Sequence, residues 1–121
     1  MKNQPFYRRF GFAVAGISAA LRTENSFRVH LLAAVAVLGV LLWRRPAALW
    51  WATMIVTLMV VLAAELVNTA VEHLADHLHP EQHPHIKIVK DCAAAAVLIA
   101  SLGAVGVAAA FVWDQLGQVV Y

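Results

Sequence analysis

Residues 59–76 read MVVLAAELVNTAVEHLAD, and this stretch decides how the chain folds. Six apolar residues come first, and polar residues then recur every three or four positions as Glu65, Asn68, Glu72 and Asp76. At about 100° per residue, these positions fall on one narrow face of a helix. A charged side chain at the centre of a membrane span costs roughly 2.5–3.5 kcal/mol, so it usually has a function. The stretch therefore predicts a membrane-spanning helix with one acidic face.

The composition of the whole chain indicates a membrane protein. Of its 121 residues, 62% are hydrophobic and 13% are charged, whereas soluble domains average about 45–50% apolar and about 25% charged residues. A soluble chain of this length has too little interior to bury so much apolar surface. The length allows a single domain, residues 1–121, and a net charge of only +2 gives no reason to expect a nucleic acid partner. The single cysteine, Cys92, excludes an intrachain disulfide and is expected to be a small packing residue.

Apolar runs and the breaks between them predict an all-α membrane protein with four helices. The first helix, about 5–23, has an apolar stripe and a basic opposite side, which is typical of an amphipathic helix at the membrane surface. Three further helices are predicted to span the membrane, over about 26–43, 47–72 and 90–113.

The basic residues predict the orientation of the chain. Most of them lie before or at the start of the first span, or in the loop that leads into the third span, and the others lie between the first two spans. The first group is Lys2, Arg8, Arg9, Arg22, Arg28, Lys87 and Lys90, and the second group is Arg44 and Arg45. The positive-inside rule then predicts a multi-pass protein of the cytoplasmic (inner) membrane, with its N-terminus in the cytoplasm and its C-terminus outside. The acidic face is expected to emerge on the cytoplasmic side.

The acidic face has the chemistry of a site for a hard divalent cation. Mg²⁺ takes one or two carboxylates and completes its shell with water and substrate phosphates. Glu24 precedes the first span on the same side of the membrane, and Lys90 and Asp91 begin the third span there. The sequence contains no P-loop, no protein-kinase glycine loop and no G-x-S-x-G motif, which excludes these enzyme classes.

The residue pattern alone leaves two other interpretations open. An intramembrane glutamate, together with His73 and His77 at the i, i+4 spacing of a transition-metal chelate, also fits a small oligomeric membrane transporter or a metal-handling protein. Small residues at every fourth position of the third span also fit a non-catalytic assembly module. These residues are Ala96, Ala100, Ala104 and Ala108.

Three motifs resemble those of the prokaryotic diacylglycerol kinase family. They are ELVNTAVE at residues 65–72, followed by Asp76; KDCAAAAVL at residues 90–98; and ENSFRVH at residues 24–30. The first two are similar to the family patterns E-x-x-N-[ST]-A-[IV]-E and K-D-x-[AG]-[AS]-A-V-L. The third is similar to the E-x-x-[FM]-[RK]-[IV]-H run of the undecaprenol kinase branch. The resemblance extends from about Phe6 to Trp113.

The resemblance implies a fold, an activity and an assembly. The implied fold is a subunit with three spans and an N-terminal surface helix, and the implied assembly is a homotrimer with active sites between neighbouring subunits. The implied reaction transfers the γ-phosphoryl group of Mg-ATP to a lipid hydroxyl, of undecaprenol or diacylglycerol, at the membrane interface. The implied partners are therefore ATP, Mg²⁺, a membrane lipid, the bilayer and two further copies of the chain.

The resemblance also implies roles for individual residues. Glu65 matches the proposed general base that takes the proton of the lipid hydroxyl, and Glu24 and Glu72 match the metal-binding acids. Residues expected around the nucleotide are Phe12, Glu24, Asn68, Glu72, Asp76, Glu81, Gln82, His83, Lys90 and Asp91. Residues expected around the lipid are Glu65, Phe27, Arg28 and His30.

The sequence departs from the family pattern at three positions. Phe12 stands where some members have a tyrosine near the nucleotide, and Pro5 stands where some have an arginine. His30 stands where some diacylglycerol kinases have an acid. By resemblance, His30 and the Phe27-Arg28 pair favour undecaprenol as the lipid.

Overall fold

The computed structural model describes residues 2–120 and is entirely helical in its regular structure. Four helices follow one another along the chain: α1 (Phe6–Thr23), α2 (Asn25–Arg44), α3 (Ala48–Leu78) and α4 (Pro84–Val120). Long apolar runs, free of internal proline, leave the backbone no other way to satisfy its hydrogen bonds in a membrane. The predicted all-α architecture is therefore confirmed.

Helices α2, α3 and α4 are long and apolar enough to cross a membrane. This confirms the predicted number of membrane helices. At about 1.5 Å per residue, the 31 residues of α3 and the 37 residues of α4 extend over about 46 Å and 56 Å. Both lengths exceed the hydrocarbon core, which is about 30 Å thick. Each helix therefore continues past the apolar segment from which it was predicted, and α3 carries its acidic residues on this continuation.

A single extended residue, Glu24, separates α1 from α2. Its backbone angles are φ −117° and ψ 111°, and its N–H donates to the carbonyl of Ala20 at the end of α1. Helix α2 begins at Asn25, with Glu24 as its N-cap. The Glu24 side chain makes no capping hydrogen bond, so its carboxylate remains available to other groups.

The connection between α2 and α3 is a tight turn over residues 45–47. Arg45 ends α2 in the left-handed conformation, at φ 48° and ψ 56°, and its N–H caps the carbonyl of Leu41 at 2.8 Å. Pro46 then prevents the helix from continuing. The turn makes α2 and α3 antiparallel neighbours, which places Glu24 and the C-terminal part of α3 at the same end of the bundle.

Helix α3 is the central element and packs along both α4 and α2. We call the end of the bundle with the α2–α3 turn the turn end, and the end with the α3–α4 loop (His79–His83) the loop end. A small core at the turn end consists of Leu41, Met54 and Phe111, one residue from each membrane helix. Inside α3, the hydroxyls of Thr53 and Thr57 donate to carbonyls four residues earlier, so these groups are satisfied without water.

Polar side chains close the turn end around this core. The indole N–H of Trp50 donates to Asp114 Oδ2 at 2.9 Å, and Arg44 Nε donates to Gln115 Oε1 at 3.0 Å. The Trp50 ring also packs edge-on against Phe111, with centroids 5.3 Å apart. These contacts connect α2 and α3 to the C-terminal part of α4.

Replacing Trp50 by phenylalanine should destabilise the bundle. The ring contact with Phe111 is kept, whereas the hydrogen bond to Asp114 is lost, so we expect a loss of about 1 kcal/mol in the free energy of unfolding. Denaturant unfolding in detergent micelles measures this change. Trp113→Phe is the matched control, because Trp113 is 81% exposed and should leave stability unchanged. Equal effects of the two substitutions would contradict the structural role of the Trp50–Asp114 bond.

Candidate active site

Glu65 is buried at the contact between α2 and α3. Its side chain is only 4% exposed, and its Oε1 lies 2.6 Å from Nδ1 of His30 on α2. The approach of the two atoms is outside the usual direction of a hydrogen bond, and Nδ1 is buried with no other polar partner within the described part of the chain. Both residues stand out in the sequence, but their pairing was not predicted from it.

Asn68 and Glu72 follow Glu65 along the same face of α3. Asn68 Nδ2 donates to Glu72 Oε1 at 3.3 Å. The other amide atom, Oδ1, is buried and lacks a hydrogen-bond partner among the described residues. Because a buried carbonyl oxygen without a partner is costly, this atom is suited to receive a donor from a bound molecule.

Glu24 reaches the same region from the start of α2. Its Oε1 lies 3.9 Å from Nε2 of His73, one residue beyond Glu72. Within residues 2–120, no three side chains of histidine, cysteine, aspartate or glutamate converge into a group that holds a metal ion. Two carboxylates on neighbouring helix segments are nevertheless the protein ligands that Mg²⁺ uses when phosphate oxygens and water supply the others.

Two ion pairs lie at the loop end, and one of them joins α3 to α4. Lys90 Nζ contacts Asp76 Oδ1 across the two helices. Lys87 Nζ donates to Asp91 Oδ2 at 2.6 Å within α4. Both pairs are substantially exposed, so they add little to stability. Their charged groups are accessible to a ligand from water.

A cavity of about 490 Å³ lies against the α3–α4 loop. Three of the side chains expected at the nucleotide, Glu81, Gln82 and His83, line it together with Lys90 and Asp91. The loop is ordered by local contacts: His79 Nδ1–H donates to the carbonyl of Glu81 at 2.8 Å. The rings of His79, His83 and His85 lie 5.2 and 5.5 Å apart in succession. The structure therefore brings five of the predicted nucleotide residues to one cavity.

An apolar groove of about 460 Å³ separates α1 from α3. Small residues of α1, among them Gly16 and Ala20, face Leu66 and Ala70 across it, and the residue before Leu66 is Glu65. This groove was not predicted from the sequence. The signal was present in the small residues of α1, but the sequence does not say which helix they oppose.

The remaining predicted residues lie outside these contacts. Phe12 is exposed on α1, and Arg28 is exposed on α2. Phe27, expected near the lipid, is 2% exposed and belongs to the packed interior. His77 is exposed one turn beyond His73.

The sequence matches the family model described as "Prokaryotic diacylglycerol kinase" over residues 11–112. This match includes the acidic face of α3, Glu24 and the start of α4. It ends before the polar side chains of the turn end, Asp114 and Gln115.

Three relatives illustrate the similarity. The chain is 39% identical over 97 residues to the diacylglycerol kinase of Synechocystis sp., covering 79% of this chain and 55% of that protein. It is 35% identical over 94 residues to the undecaprenol kinase of Bacillus subtilis, covering 78% and 76%. It is 30% identical over 107 residues to the diacylglycerol kinase of Escherichia coli K12, covering 88% of each chain. The chain therefore spans about half the length of the Synechocystis relative and most of the length of the other two.

Proposed function

We propose that this chain, which belongs to the prokaryotic diacylglycerol kinase family and is a lipid kinase, transfers the γ-phosphoryl group of Mg-ATP to the hydroxyl of undecaprenol or of diacylglycerol. The observation that carries the proposal is the position of Glu65. Its carboxylate is buried against α2, and the next residue, Leu66, lines the apolar groove between α1 and α3. The acidic face of α3 then leads to Asp76, Lys90 and the loop cavity.

In the proposed reaction, Glu65 is the general base. Its carboxylate takes the proton of the lipid hydroxyl while the lipid oxygen forms a bond to the γ-phosphorus. The bond from the γ-phosphorus to the bridging oxygen breaks, and ADP leaves with that electron pair. Phosphoryl transfer depends mainly on positioning and on neutralising charge, so the protein needs few groups beyond a base and cations.

The groove between α1 and α3 is the proposed site of the lipid tail. It is lined almost entirely by apolar and small side chains, and Glu65 precedes its Leu66 in the sequence. A lipid in the groove would therefore have its hydroxyl near a carboxylate and its tail in an apolar environment. We further propose that α1 is an amphipathic helix on the membrane surface. Its exposed apolar residues, Phe6 and Phe10 among them, support this placement.

The loop cavity is the proposed site of the nucleotide. Lys90 offers an ammonium group to phosphate oxygens, and the loop of Glu81, Gln82 and His83 forms the opposite wall. Mg²⁺ is the proposed cation, held by Glu24 and Glu72. The cation would neutralise phosphate charge. Mg²⁺ commonly takes one or two carboxylates from a protein and its other ligands from phosphate and water, which fits a site with two acids.

A homotrimer is the proposed assembly, oriented with the loop end and the N-terminus in the cytoplasm. Only 6% of the apolar window of α4 is buried within the chain, so most of that helix is free to contact other protomers or lipid. ATP occurs in the cytoplasm, which agrees with the excess of lysine and arginine at the loop end. The transporter and metal-handling interpretation has no support, since the relatives are named as kinases.

Glu65→Gln should abolish most of the kinase activity. The amide keeps the size of the side chain but accepts no proton, so we expect kcat to fall by at least about 100-fold. The assay uses purified protein in lipid with labelled ATP and Mg²⁺, and it offers undecaprenol and diacylglycerol side by side. Asp114→Asn is the matched control, because it removes a carboxylate at the turn end. Wild-type rates in Glu65→Gln would disprove the assignment of the base, and a wild type inactive on both lipids would disprove the kinase proposal for these acceptors.

Glu72→Ala should weaken the dependence of the rate on Mg²⁺. We expect the Mg²⁺ concentration for half-maximal activity to rise by at least about tenfold, which is the cost of losing even an outer metal contact. The measurement is a Mg²⁺ titration at saturating ATP. His77→Ala, one turn further along α3, should leave the titration unchanged. An unchanged titration in Glu72→Ala would remove this residue from the metal site.

Lys90→Gln should weaken nucleotide binding. Loss of a charged hydrogen bond of 1.5–3 kcal/mol predicts a rise in KM for ATP of about 10- to 100-fold. Because the pair with Asp76 is exposed, the thermal midpoint of the protein should change little. Arg45→Gln, at the other end of the bundle, is the control for removing a positive charge. A normal KM for ATP in Lys90→Gln would exclude Lys90 from the nucleotide site.

A further inference from the structure

The contact between His30 and Glu65 has a consequence for the proposed general base. Nδ1 of His30 and Oε1 of Glu65 lie 2.6 Å apart. The packing of α2 against α3 holds these two atoms in contact, although their direction is not yet that of a hydrogen bond.

The surroundings of His30 hold this arrangement in place. Phe27 and Ala34, three residues before and four residues after His30, are both buried, so His30 lies on the packed face of α2. Val61, one turn before Glu65, is buried on the facing side of α3. The His30 side chain is 29% exposed, whereas its Nδ1 atom is buried. The ring is thus fixed between two packed helices, with Nδ1 on the side of the carboxylate.

We propose that His30 is a positioning residue for the general base, and this inference rests on the proposed function of Glu65. A small adjustment of the Glu65 carboxylate would bring Oε1 into line with Nδ1–H. This bond would satisfy one carboxylate oxygen and leave Oε2 to take the proton of the lipid hydroxyl. Burying a carboxylate without such a donor costs free energy, and no hydrogen bond then fixes its orientation. His30 therefore acts through Glu65, and it acts on the rate of the chemical step. The resemblance had instead implied that His30 contacts the lipid.

Two substitutions of His30 separate these roles. His30→Leu fills the space in the apolar packing without a donor, and we expect kcat to fall by about 100-fold, the low end of the range for positioned proton-transfer groups. The KM values for ATP and for lipid should stay unchanged. His30→Asn places an amide N–H where Nδ1–H was, so it should recover most of the lost kcat. Val37→Ala, two turns along the same helix, is the control for altered packing, and thermal unfolding checks that each variant is folded.

The decisive measurement is a double-mutant cycle with Glu65→Gln. If His30 acts only through Glu65, His30→Leu has no further effect on the residual rate of Glu65→Gln. Three results would overturn the proposal: wild-type kcat in His30→Leu, equal losses in His30→Asn and His30→Leu, or a change in the KM for lipid with kcat preserved. A wild-type protein without phosphoryl transfer to either lipid would instead overturn the proposed function, so the two failures are distinguishable.

Discussion

The rest of the structure depends on one carboxylate buried between two apolar helices. Glu65 is 3% exposed, and an unpaired charge at such a place would destabilise the fold strongly. The histidine opposite it on α2 and the antiparallel pairing of α2 with α3 make this burial possible. The tight turn at residues 45–47 fixes the register between these helices at one end, and Glu24 lies 3.9 Å from His73 at the other.

The two ends of the bundle differ in their physical character. The turn end is closed by a small apolar core and by hydrogen bonds from Trp50 and Arg44 to α4. The loop end contains a cavity, an apolar groove and exposed ion pairs, which contribute little to stability. The packed core of the turn end is therefore separated from the groups proposed to bind the nucleotide and the metal ion. Such a division is expected where a site has to exchange ligands while the fold stays intact.

Much of the fold could be predicted from the sequence because hydrophobic length and helical periodicity are local signals. The acidic face of α3 was visible from its three- and four-residue spacing alone, and the motifs at residues 24–30, 65–72 and 90–98 indicated the family. Pairings between helices were not visible. Nothing in the spacing of Trp50 and Asp114 shows that they meet, and an indole near a span end is as typical of a membrane interface as of a hydrogen bond. The same holds for His30 and Glu65, which are 35 positions apart.

Because most of α4 is exposed within the chain, the composition of the membrane around it affects whether protomers associate. Lipid tails and the side chains of a second protomer are almost equally apolar, so helices in a bilayer associate through close packing, without a hydrophobic driving force. Association of this kind obeys mass action, and its extent changes with the ratio of protein to lipid. For the proposed homotrimer, dilution of the protein in newly made membrane would therefore lower the fraction that is assembled. The amount of membrane would then set the assembled fraction without any regulatory ligand.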